Sequence, residues 1–158
     1  MCAASTAAEG LPYVDEHEVE VGASADRTWE ALLRTVDGTL SSDRSARGAR
    51  LLGCEDAEAA GPRPLAPGAS IPGFHVEVAD RPRELALVGA HRFSRYALIF
   101  RLDPDDGATR LRAETRAEFP GLRGRAYRAL VIGSRMHVVV TRRLIAAVKR
   151  RAERPPAA

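Results

Sequence analysis

The sequence predicts an α+β domain in which a curved antiparallel sheet closes around one long C-terminal helix, with a short helical segment after the first strand. Three observations carry this. Ala108 to Glu118 sets Leu111, Ala113, Thr115 and Ala117 against Arg110, Arg112, Glu114, Arg116 and Glu118, the alternation of a strand with one buried and one wet face. Three more apolar runs precede it, separated by turn residues. After Pro120-Gly121 the spacing becomes helical and stays so to about Arg151.

The elements follow in order. Residues 1–12 read as a flexible N-terminal tail, without the basic n-region and aliphatic stretch of a signal peptide, so a cytoplasmic protein is expected. No apolar run approaches the roughly 20 residues of a transmembrane segment. The domain is expected over 13–151, with 152–158 as a C-terminal tail. Tyr13 to Val21 is a strand with His17, Val19 and Val21 on one face and Glu16, Glu18 and Glu20 on the other. Ser24 is an N-cap and Asp26 lies in the first turn of a helix from Arg27 to Val36, which Asp37-Gly38 should end. Trp29, Leu32, Leu33 and Val36 form its apolar stripe. Ser41-Ser42-Asp43 opens a helical turn, Leu51 to Cys54 reads as a short strand, and the proline- and glycine-dense stretch from Gly61 to Gly68 is a loop.

Phe74 to Ala79, Glu84 to Ala90, Ser94 to Leu102 and Ala108 to Glu118 are consecutive strands. Asp80 to Arg83 and Asp103 to Gly107 turn between them. The helix from Arg125 to Arg151 would span on the order of 40 Å at ~1.5 Å per residue. Arg128, Arg135, Arg142 and Lys149 share one stripe of it. Leu130, Gly133, His137, Thr141, Leu144 and Val148 lie opposite, flanked by Tyr127, Ser134, Val138, Val140 and Ile145. Gly121 to Arg154 holds ten basic residues against Glu153 alone, a charge that suits an anionic partner or a solvated helix face. The strands show little aromatic interleaving, so no specific nucleic-acid binding is expected. Ile132, Met136 and Val139 lie close to the arginine stripe and favour a protein contact instead, such as a homodimer.

Val19 to Leu32 runs strand, small-residue turn, then helix with Trp29 near its first turn. It resembles the opening of the START-like helix-grip superfamily (SRPBCC), which includes polyketide cyclases and dehydrases, lipid-transfer domains and pollen-allergen-like proteins. His91 to Phe100, and Gly124 to Arg128 with Val131-Ile132-Gly133, are similar to a bacterial subgroup of it. The resemblance covers Tyr13 to Arg151. It implies a cavity between sheet and C-terminal helix that binds a small hydrophobic molecule. The superfamily has no shared catalytic motif, so no catalytic residue carries over, and its full fold has seven strands where five clear ones and a weak one are read here.

Alternation also predicts the inner face. Phe74, Val76 and Val78 form one inward row, Leu85, Leu87, Gly89 and His91 a second, Tyr96, Leu98, Phe100 and Leu102 a third, and Leu111 to Ala117 a fourth. The small residues Gly89, Ala113, Ala117, Gly133 and Ser134 admit two readings, close packing or room for a ligand. On the second reading the ligand-binding residues are His91, Tyr96, Leu98, Phe100, Ala113, Thr115, Tyr127, Ser134, His137 and Thr141, a few polar groups in an apolar wall. His75 should face solvent, while His17, His91 and His137 point inward from different elements. Their spacing is no metal motif, which leaves a buried neutral histidine or a general acid/base beside Tyr96.

Cys2 and Cys54 make neither a disulfide framework nor a zinc site. No P-loop, dinucleotide-binding glycine motif or Ser/His/Asp set is present, and no cofactor is expected. The leading function is a carrier or sensor of a small hydrophobic molecule. The alternatives are a polyketide cyclase or dehydratase-like enzyme using the same pocket, and a protein-interaction module on the arginine-rich helix face.

Overall fold

The computed structural model describes residues 6–155. The chain runs β1 (Tyr13–Val21), α1 (Ala25–Leu40), α2 (Asp43–Leu52), β2 (Ser70–Ile71), β3 (Phe74–Asp80), β4 (Glu84–His91), β5 (Ser94–Asp105), β6 (Ala108–Glu118), α3 (Gly121–Val131) and α4 (Met136–Glu153). All strand pairings are antiparallel, in a curved sheet of six strands ordered β1-β6-β5-β4-β3-β2. The meander from β3 to β6 follows from the short turns, but β1 closes on the last strand. Its register sets Asp15 opposite Thr115, His17 opposite Ala113 and Val19 opposite Leu111.

The inner face packs as alternation predicts. Leu85, Leu87, Phe100, Leu102, Leu111 and Ala113 meet Trp29, Leu32 and Val36 of α1 and Leu144, Ile145 and Val148 of α4 in one buried core. Each large side chain so buried contributes roughly 1.5–3 kcal/mol. Ser24 caps α1, its Oγ accepting the Arg27 N–H at 3.4 Å. The helix does not stop at Asp37-Gly38 but continues to Leu40, and Ser41 N–H donates to the Asp37 carbonyl at 3.0 Å. A mid-helix glycine costs only about 1 kcal/mol, less than the packing of the α1 stripe contributes. Leu51 and Leu52 end α2 instead of forming a strand, because Gly53 takes a left-handed φ of 71° and returns its N–H to the helix carbonyls.

Two corrections change which residues face inward. A bulge in β3 pairs Val76 with Leu87 but Val78 with Ala86, so Val78 turns to the outer face. There it packs with Ala86, Ala97 and Ile99 beneath Ala8 and Leu11. The stretch taken from sequence as tail therefore lies on the sheet from Thr6 onward. Ala7 and Ala8 N–H donate to the Glu77 carboxylate at 2.8 and 3.0 Å, and Arg116 donates to the Glu9 and Leu11 carbonyls at 2.8 and 3.0 Å. The remainder of that expected tail, residues 1–5, lies outside the described residues. Glu114, expected on the wet face, is buried between Arg101 and Arg116. Burial alone would raise its carboxyl pKa, but the bonds to the two guanidiniums outweigh that and hold it below the usual range. At the other end Ala152 is buried, so the C-terminal helix outlasts the expected boundary at 151 and ends at Glu153.

The second correction is that the C-terminal helix is two helices. Ile132 to Arg135 form a turn with Arg135 at a left-handed φ of 55°. A Cβ on Gly133 would lie 2.2 Å from the Ala129 carbonyl oxygen, so the turn closes only around glycine. The break resets the helical phase. Leu130, expected against the sheet, is exposed, whereas Thr141, Leu144 and Val148 beyond the break are buried as expected. No helix among the described residues is long and apolar enough to cross a membrane.

Candidate ligand-binding cavity

Where α3 and the turn replace a continuous helix, the sheet is left uncovered around a cavity of about 350 Å³. Its floor is Leu98, Thr115 and Ala117, and Val140, Thr141 and Leu144 of α4 form one side. Ile132 and Met136, which the unbroken wheel put beside the arginine stripe, turn to this cavity.

One end is aromatic. Tyr127 of α3 stacks on Phe93 at 5.5 Å and meets His91 edge-on at 4.8 Å, while Tyr96 meets Phe74 edge-on at 5.1 Å and His91 at 5.4 Å. Close backbone contacts hold this cluster. A Cβ on Gly124 would lie 2.6 Å from the Phe119 carbonyl carbon, and one on Gly89 would lie 2.0 Å from the Gly73 carbonyl oxygen and 2.5 Å from the Tyr96 ring. Gly89 is thus small for packing, whereas Gly133, expected against the sheet, is exposed and is small because of the turn it closes. His91 Nδ1 accepts the Phe93 N–H at 3.1 Å, so the neutral ring carries its proton on Nε2. Burial lowers the His91 pKa and favours that neutral form. Tyr96 Oη donates to the Gly73 carbonyl at 2.7 Å, with the Cys54 thiol 3.7 Å away. Burial, reinforced by Cys54, pushes both the Tyr96 and Tyr127 phenols up, so neither ionises near neutrality.

The other end is polar. His137 lines the cavity and its Nε2 lies 2.9 Å from Asp15 Oδ2. His17 Nε2 approaches the same oxygen at 3.3 Å. Asp15 Oδ1 and Thr115 Oγ1 are buried without a hydrogen-bond partner among the described residues. The strand register sets these two residues directly opposite each other.

Of the predicted site residues, His91, Tyr96, Leu98, Thr115, Tyr127, His137 and Thr141 line the cavity. Phe100 and Ala113 do not, because α1 and α4 seal them into the solid core. Ser134 is exposed in the turn, bonded to the Val131 carbonyl at 3.1 Å. His75, expected in solvent, is partly buried and pairs with Asp56 at 2.9 Å. The inward histidines do not converge: His91 stands at the aromatic end, while His17 and His137 share Asp15. No group of three or more His, Cys, Asp or Glu among the described residues is arranged to hold a metal ion. Asp15 escaped the sequence reading, although it has the parity of His17, Val19 and Val21.

Comparison with solved structures matches most of the chain. Truncated norcoclaurine synthase from Thalictrum flavum superposes with a TM-score of 0.59 at 11% identity, covering 92% of this chain and 98% of that one. The same synthase in complex with dopamine and hydroxybenzaldehyde gives 0.56 at 13% identity, over 90% and 88% of the two chains. Mll3558 from Rhizobium loti gives 0.51 at 19% identity, over 87% and 94%. The chain has the helix-grip fold. In this helix-grip chain the grip is shared by α3 and α4, and the sheet has six strands. No family model and no curated protein matches the sequence. At these identities the likeness establishes fold and leaves function to the site.

Proposed function

We propose that this protein binds a small hydrophobic molecule in the cavity between the sheet and its C-terminal helices, as a carrier or sensor. The observation that carries the reading is an apolar-walled cavity of about 350 Å³ between the sheet and the C-terminal helices, beside the buried core. That volume falls in the range of roughly 300–1,000 Å³ usual for small-molecule sites, and a few placed polar groups in an apolar wall are their usual composition. Mass spectrometry of molecules that co-purify under native conditions tests it. A recovered apolar ligand is expected from the wild type and absent from Ala117→Phe, which fills the floor. Equal recovery from both proteins would place the ligand elsewhere.

A second reading, a cyclase or dehydratase-like enzyme, is favoured by one feature. His137 is on the cavity wall with its Nε2 against the Asp15 carboxylate at 2.9 Å and its Nδ1 near the Val131 carbonyl at 3.4 Å, an arrangement that fixes the orientation of the imidazole. If the protein turns over its ligand, His137→Phe should lower the rate by roughly 10²–10⁴ while binding persists. Turnover undiminished by that change would remove His137 from the chemistry.

A further inference from the structure

The helix that lines the cavity with Tyr127 and Val131 carries a second apolar face, turned to solvent. We infer that this outer face of α3 docks the protein on an anionic lipid bilayer, so that the cavity opens beside the surface from which its ligand enters. This rests on the binding reading above and adds the place of uptake to it.

Gly124, Tyr127 and Val131 share the inner face of α3 at helical spacing, Gly124 buried and the other two on the cavity wall. At about 100° per residue Leu122, Ala126 and Ala129 lie opposite, with Leu130 beside them, and all four are exposed. Leu122 and Leu130 are 76% and 69% exposed. Met136, which opens α4 and also lines the cavity, is 60% exposed. Large aliphatic side chains gathered in water beside a ligand site mark a surface that something covers. Arg123, Arg125 and Arg128 run along the edges between the two faces, and residues 121–143 hold six arginines and no acid. None of the six is in an ion pair among the described residues. Glu118, which shares a surface groove with Arg125 and Arg128, is already paired with Arg95 at 3.5 Å.

Charge and apolarity together choose the occupant. A helix with arginines flanking an exposed aliphatic face suits the plane of a lipid interface, its apolar side among acyl chains and its guanidiniums at anionic headgroups. A second copy of the chain suits it less. A twofold contact sets the same patch against itself, here six arginines toward six with no acid between them. The outer face of α3 also holds no aromatic side chain of the kind that anchors protein interfaces. Nucleic acid would engage the arginines and leave Leu122 and Leu130 in water. Arg150 and Arg151, at the opposite end of α4, border a groove without any large apolar side chain, so the same charge without an aliphatic face is present there for comparison.

The test is flotation of the full chain with vesicles of phosphatidylcholine alone and of phosphatidylcholine containing about a third phosphatidylserine. The wild type should bind the anionic vesicles at least about tenfold better and lose that advantage at high salt, since each arginine near such a surface is worth about fivefold. Arg123→Gln with Arg125→Gln should lower binding about tenfold or more, and Leu122→Ser with Leu130→Ser about tenfold. All four side chains are exposed, and circular dichroism checks that each variant folds. Arg150→Gln with Arg151→Gln removes the same charge from the other end of α4 and should bind as the wild type does. Equal losses from the two arginine pairs would overturn the inference, since net charge alone would then explain binding. An unaffected serine pair would overturn it too, by leaving the aliphatic face out of the bilayer. A wild type that floats with neither vesicle would overturn it outright, and sedimentation equilibrium would then read whether a second copy covers α3 instead. Vesicle binding requires no bound ligand, so that last result, with an apolar ligand still recovered from the cavity, would leave the binding reading standing.

Discussion

Ala113 and Ala117 lie four residues apart on one face of β6, equal in size and direction, yet one is in solid core and the other opens on a cavity. Ala113 lies in the core that α1 and the second half of α4 complete. Ala117 lies where the C-terminal helix has been interrupted between Val131 and Met136. The strand is the same in both places, so the pocket is made by what covers the sheet. A small inward residue signals space only where its covering helix fails to fill it.

The sharpest way to break this comparison is at the glycines that build the cavity end. Gly89→Ala puts a methyl group against the Gly73 carbonyl and the Tyr96 ring, and should cost more than about 3 kcal/mol by urea denaturation, at the upper end for one substitution. A smaller loss would mean that the Tyr96 wall yields easily and that the aromatic end is not rigid. Next comes the alanine pair itself. Ala113→Phe should destabilise by about 1–3 kcal/mol or more, because the ring must displace packed neighbours. Ala117→Phe should leave the melting temperature unchanged or raised, since its ring enters open space. Equal losses at both positions would show that the two regions are packed alike.

Two acid transitions sharpen the comparison with smaller effects. His91 at the cavity end has its pKa lowered below the ordinary 6.5 by burial, so the folded state disfavours its charged form. Its contribution to stability is complete above pH 6.5 and is lost as pH falls from there through the folded value. Glu114 on the outer face is held below its ordinary 4.5, so its contribution disappears only in more acidic solution, as pH falls from there. Melting temperature against pH should therefore decline in two stages, with His91→Phe abolishing the upper one and sparing the lower. A single decline below pH 4.5 in the wild type would show that His91 is not buried from solvent as the cavity geometry requires.

Much of this was legible in the residues, for a reason of range. A strand's faces follow from a period of two, a local property, and Leu85, Leu87, Leu98, Phe100, Leu111 and Ala113 all point inward as alternation requires. The cap at Ser24 and the stripe of α1 are equally local. The sequence by itself therefore determined the element types, the antiparallel meander and most of the inner wall. The tertiary structure decided the rest, mostly because the remaining features join residues distant in the chain. The bulge that turns Val78 outward appears only in its pairing with β4. The break after Val131 is the exception, a local approach of Gly133 to the Ala129 carbonyl, but its consequence is not local, since it shifts the phase of every residue before it relative to the sheet. Asp15 gained its place through a strand register and a bond to His137, a partner 122 positions away, contacts that no window of sequence contains.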